Sequence, residues 1–219
     1  HLSNPLLQSC MKELKLMFEF GFMMFDPSTT FESIGQNLDF LRAIVGDGSA
    51  AAVFCRMIPY DGTPIKDTLE REGRLRGDVC NPDYDFLDSR VGDFYVALKR
   101  IVDVTGWIHG HRALSPAINF AWNELSIIDG LFARLSGSDS YRESLRRITR
   151  ESNALLFNVV DDLRSAFASG RSHHWRADML QASAENFLHQ LVAERNEFIV
   201  RHQDALLTSL QRESAMLCT

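Results

Sequence analysis

Apolar and polar positions follow two different rhythms along this chain, and the change falls near residue 90. Between Leu6 and Leu16, Leu7, Met11 and Leu14 recur at helical spacing, whereas Met17 to Phe25 is a Phe- and Met-rich run with strand character. Thr30 to Val45 places Phe31, Ile34, Leu38, Leu41 and Ile44 on one helical stripe, and Ala51 to Ile58 reads as a second buried strand. This αβαβ order predicts parallel strands joined by a helical crossover. The crossover helix carries a start signal: Thr29 or Thr30 offers a hydroxyl to the first-turn amides, Glu32 or Ser33 stands at the supporting offset, and Pro27 stiffens the entry. Asp47-Gly48-Ser49 supplies the turn toward the second strand.

From Val91 onward the rhythm is helical throughout. Val91, Phe94, Tyr95, Leu98, Ile101 and Val102 form one stripe, Ile118 to Leu135 a second and Tyr141 to Phe167 a third. A long fourth stripe runs through Leu180, Ala184, Phe187, Leu191, Phe198, Ile199, Leu206 and Leu210, with breaks predicted at Gly106, Pro116, Gly137 and Gly170. The expected organisation is an α/β portion over residues 1–88 followed by an all-α helical bundle over residues 89–219.

Composition narrows the classes. The 219 residues are 45% hydrophobic and 24% charged, which is ordinary for a folded soluble chain, and no apolar run reaches the roughly 18 residues of a membrane span. A net charge of −6 without acidic blocks argues against nucleic acid as a partner, and Arg142, Arg146, Arg147 and Arg150 read as a solvated helix face. The four cysteines lie far apart with no CxxC or CxxxCxxC spacing, so a reduced, cytoplasmic protein is expected. The chain opens on His1 in place of Met, which leaves room for lost upstream sequence.

Candidate chemistry gathers in the first portion. Charges inside two buried strands need an account, and Glu19 and Arg56 are such charges. Strand alternation puts Glu19 on the face of Gly21, Met23 and Phe25, and Arg56 on the face of Phe54 and Ile58. Either the two face a common lumen and a polar ligand, or they form a structural ion pair. After the second strand, Pro59, Gly62 and Pro64 build a backbone-rich loop where α/β folds place ligands, although a plain connector has the same composition. His109 and His111, two apart, and His173-His174 have no carboxylate or cysteine at ligand spacing, so no metal is assigned to them.

The segments "GFMMFDPSTTFESIGQNLDFL" (Gly21 to Leu41) and "RMIPYDGTPIKDTLEREGRL" (Arg56 to Leu75), with "YDFLDSRV" (Tyr84 to Val91), resemble the later part of radical S-adenosylmethionine enzymes. The branch most similar carries a cobalamin-binding domain upstream. Gly21 to Thr30, Asn37 to Leu41, Pro59 to Pro64 and Glu72 to Leu75 match in order and at natural spacing, over roughly residues 10 to 91. The resemblance implies a partial TIM barrel, the last βα units of the radical domain, whose strands line an S-adenosylmethionine site. Gly21, Met23 and Phe25 would map onto the cofactor-facing strand, Ile58 and Tyr60 would lie near the adenine edge, and Arg56 would be a further cofactor contact. Glu19 would face the substrate. Ser28 departs from the family, standing where a Glu is expected.

Two further departures matter. The three cysteines that hold the family's [4Fe-4S] cluster are not in this sequence, and neither is a cobalamin domain. The implied reading is therefore a C-terminal fragment that contributes pocket wall and helical cover to a parent enzyme, its partner being the missing N-terminal part of the barrel. The alternative is a non-catalytic binding protein in which degenerate barrel strands support the bundle, with a second copy of the chain as a possible partner.

Overall fold

The computed structural model describes residues 10, 13–14, 22–50, 54–105, 114–132, 135–171 and 177–217. The described elements run in order through strand β1 (Met23–Phe25), helix α1 (Phe31–Val45) and strand β2 (Cys55–Arg56). A short helix α2 (Pro64–Arg71) leads into a hairpin of β3 (Leu75–Gly77) and β4 (Pro82–Tyr84). Four helices follow: α3 (Ser89–Thr105), α4 (Leu114–Leu131), α5 (Ser138–Ala168) and α6 (Ala177–Leu217).

Local chemistry explains the first unit. Thr30 caps α1 by accepting from the Ser33 amide at 3.1 Å, while the Ser33 hydroxyl accepts from the Thr30 amide at 3.0 Å. The helix then buries Phe31, Ile34, Leu38, Leu41, Ile44 and Val45, the stripe expected from spacing. β1 and β2 pair in parallel with Met23 opposite Cys55 and Phe25 opposite Arg56, so the helical crossover expected from the αβαβ order is present.

The barrel is not. Among the described residues the fold is mainly helical, with two separate two-stranded sheets and no closure, which corrects the expectation of an α/β partial TIM barrel. The physical reason lies in what covers β1. Met24 and Phe25 are each 1% exposed and pack into a helical core, with Phe25 touching Phe94 and Tyr95 of α3 and Phe86 ahead of it. A Phe- and Met-rich run suits a helix-covered face as well as a barrel wall, and here helices take it.

The bundle is built on α5. It packs against α1, α3, α4 and α6, and buries Tyr141, Leu145, Ile148, Leu156, Phe157, Val160 and Leu163. Its Asn153 amide donates to the carbonyls of Val45 at 3.1 Å and Ala50 at 2.8 Å, satisfying the end of α1 and the loop after it. Gly48, at φ 81°, lies so close to the α5 backbone at Arg146 that a β-carbon there would overlap the Arg146 carbonyl. One hydrophobic cluster runs from Met24 to Phe198 through both portions of the chain.

A polar knot ties the other end of the bundle. Glu124 of α4 accepts from the Tyr141 hydroxyl at 2.8 Å and from Arg195 of α6 through Nε at 3.0 Å and Nη2 at 2.7 Å. The Tyr141 ring stacks on Phe198 with centroids 4.2 Å apart. Burial, then the bond to Glu124, pushes the Tyr141 hydroxyl above the ordinary tyrosine range. Among the described residues no helix is long and apolar enough to cross a membrane.

Candidate functional site

The parallel pairing sends the carboxyl ends of β1 and β2 to the same edge. The Met57 amide donates to the Phe25 carbonyl at 2.8 Å, so the Asp26-Pro27-Ser28-Thr29 turn and the loop after β2 emerge side by side. Its own side chains brace the turn. Asp26 accepts from the Ser28 amide at 2.7 Å and the Thr29 hydroxyl accepts from the Asp26 amide at 2.7 Å, which delivers the chain to the Thr30 cap.

Beside this edge opens a groove of about 700 Å³ lined by Ile58, Tyr60, Asp61, Val79, Cys80, Asn81, Pro82 and Asp83. One wall is the loop leaving β2 and the other is the hairpin. Apolar groups face solvent on both: Ile58 is 47% exposed, Tyr60 64% and Val79 76%. The two carboxylates of the lining are both paired, Asp61 with Lys66 and Asp83 with Arg56 at 2.7 Å. The groove thus combines exposed apolar groups and polar groups in comparable measure. The Cys80 thiol at its rim is free and exposed.

Arg56 sits beneath the groove. Its guanidinium lies over the rings of Tyr84 at 4.1 Å, Phe86 at 4.8 Å and Tyr95 at 4.8 Å, and it donates to the Tyr84 carbonyl as well as to Asp83. The Tyr84 hydroxyl in turn donates to the Phe25 carbonyl at 3.2 Å. Burial pushes that hydroxyl's pKa up to about 12, against the pull of Arg56. Arg56 thus binds hairpin to sheet, and its Nε is buried without a hydrogen-bond partner.

Of the residues singled out from the sequence, Ile58 and Tyr60 share the groove, and Arg56 supports it through Asp83. Phe25 is in the core, where its carbonyl accepts from Tyr84 and Met57, and Met23 is 48% exposed on the strand; neither lines the groove. Glu19 and Gly21 lie outside the described residues. Sequence reasoning missed the second wall, Val79 to Asp83. Its signal was the turn-forming cluster Gly77-Asp78 with Asn81-Pro82 between two short arms.

No family model, curated protein or solved structure matches this chain. The groove's residues offer a ligand the Tyr60 ring and the Ile58 side chain as exposed apolar contacts. They do not fit an iron-sulfur cluster: Cys10, Cys55 and Cys80 are free, and among the described residues no three His, Cys, Asp or Glu converge as metal ligands.

Proposed function

We propose that this chain acts as the C-terminal part of a radical S-adenosylmethionine enzyme, with the groove beside β2 taking the adenosine end of the cofactor. The observation that carries the reading is convergence. Two motif-bearing segments some 30 residues apart are joined through the Met57–Phe25 bond, and both open at the carboxyl edge of a parallel β-α-β unit. That edge is where α/β folds bind nucleoside ligands. The cluster that supplies the reducing electron, and cobalamin where the parent uses it, would be held by other parts of the parent. This chain's own residues would hold the base between the loop after β2 and the hairpin, with Tyr60 as the stacking face.

Titration of the chain with S-adenosylhomocysteine tests this. Saturable binding is expected, weakened about tenfold by Tyr60→Ala through loss of one stacking face. Absence of binding, together with an upstream reading frame that lacks CxxxCxxC, would sink the proposal. A second reading, a helical interaction protein, is favoured by the exposed Val192, Ile199, Val200, Leu207 and Leu210 of α6. It expects concentration-dependent association with no nucleoside binding.

A further inference from the structure

We propose that Arg74 sets the width of the groove by locking the root of the hairpin to the turn after β1. This rests on the groove being a ligand site, and it assigns Arg74 as a positioning residue that touches no ligand itself. Its side chain is 16% exposed, and its Nη1 donates to the Pro27 carbonyl at 3.0 Å and to the Asp85 carbonyl at 2.9 Å. On the other edge of the guanidinium, Nε at 2.9 Å and Nη2 at 2.6 Å both donate to Glu72. One side chain therefore joins the β1 turn, the residue after β4 and the end of α2.

The backbone runs the same way. The Asp85 amide donates to the Arg74 carbonyl at 2.8 Å and the Leu87 amide to the Pro27 carbonyl at 3.2 Å. Gly73, at φ 67°, makes the sharp exit from α2 that points Arg74 inward, and the Arg74 amide closes it on the Leu69 carbonyl at 2.8 Å.

Leverage makes this root decisive. Each hairpin arm has three residues, so the tip stands about 10 Å from its root, and a tilt of about 10° moves it by about 2 Å. That distance separates van der Waals contact from a gap for a ring held between Tyr60 and Val79. The tip cannot absorb the change, because Asp78 accepts from the amides of Cys80 and Asn81, both at 2.8 Å. Arginine is specifically required: two carbonyls on one edge and a carboxylate on the other match a planar fork, whereas the ammonium of lysine is a point donor.

The test places spin labels on Cys80 and on a cysteine introduced by Tyr60→Cys, with Cys10, Cys55 and Cys218 changed to Ser. A single narrow distance is expected across the groove. Arg74→Lys and Arg74→Ala should broaden it and shift its mean by about 2 Å or more; an unchanged distribution in Arg74→Lys overturns the inference, and this variant decides should Arg74→Ala fail to fold. In the native-cysteine protein, S-adenosylhomocysteine affinity should fall about tenfold in Arg74→Lys and stay within twofold in Arg90→Lys, whose partner Asp88 lies away from the groove lining. Equal loss in both variants overturns it as well. If the unaltered chain binds no S-adenosylhomocysteine, the cofactor reading fails while the label distances still decide the role of Arg74.

Discussion

The hairpin and the helical bundle are both held by arginines, but the two sets of acceptors differ in kind. Around the groove, Arg56 and Arg74 bond to the backbone carbonyls of Tyr84, Pro27 and Asp85 and to the exposed carboxylates of Asp83 and Glu72, with aromatic rings stacked on one of them. In the bundle, Arg195 and Arg142 bond to carboxylates of α4, Glu124 and Asp129. A carbonyl that loses its arginine can turn to water, whereas a half-buried carboxylate that loses its partner keeps an uncompensated charge. The first arrangement fixes geometry and the second fixes which helices associate. Stability should therefore reside in the bundle and positional precision in the hairpin.

The largest effect should come from the bundle. Glu124→Leu leaves Arg195 and the Tyr141 hydroxyl without their common acceptor, and should lower unfolding free energy by about 2 kcal/mol, reduced from the fully buried case because both charges are partly exposed. Chemical denaturation would reveal it as a lower midpoint at unchanged slope. An effect no greater than that of Arg56→Met would erase the distinction between the two regions.

Arg56→Met should cost about 1 kcal/mol, since the aromatic cage keeps an apolar occupant and Asp83, 54% exposed, regains water. The same substitution should raise amide exchange at Asp83 and Tyr84 while leaving α5 protected. Loss of protection in α5 as well would show that the hairpin and the bundle unfold as one unit.

The smallest effect is a pH dependence that appears only in alkali. Tyr84 holds its proton more tightly in the folded chain, at about 12, than the ordinary tyrosine value of 10.0. Its contribution is complete below pH 10 and is lost as pH rises from there toward 12. Tyr141 is raised for similar reasons and acts in the same sense. Tyr84→Phe should flatten the alkaline fall in thermal midpoint in part, and Tyr84→Phe with Tyr141→Phe should flatten it further; an unaltered alkaline slope in the double variant would refute the assignment.

Helices α1 and α3 to α6 were legible in the sequence because each carries several turns of periodic apolar residues, and α1 even announces its cap through Thr30 and Ser33; the short α2, which buries Leu69, was not. The parallel β1–α1–β2 unit could be read from element order. The extent of the sheet could not, since a run such as Phe22 to Phe25 specifies burial without specifying what buries it, and the covering rings of Phe94 and Tyr95 come some 70 residues later. Half of the site was similarly visible. Ile58 and Tyr60 follow a strand end, but the opposing wall depends on a hairpin with three-residue arms, too short to show alternation. Nothing in the spacing of Arg56 foretells a cage assembled from Tyr84, Phe86 and Tyr95.

That cage has a spectroscopic consequence. A guanidinium lying over three aromatic rings sits in their combined ring currents, so the Arg56 Nε proton should resonate well upfield of other arginines in a ¹⁵N-labelled sample. Buried and without a hydrogen-bond partner, it should also be screened from water. Because Tyr84 belongs to the hairpin and Arg56 to the sheet, this one resonance would follow their separation in the unmodified chain as ligands are added, with no label attached.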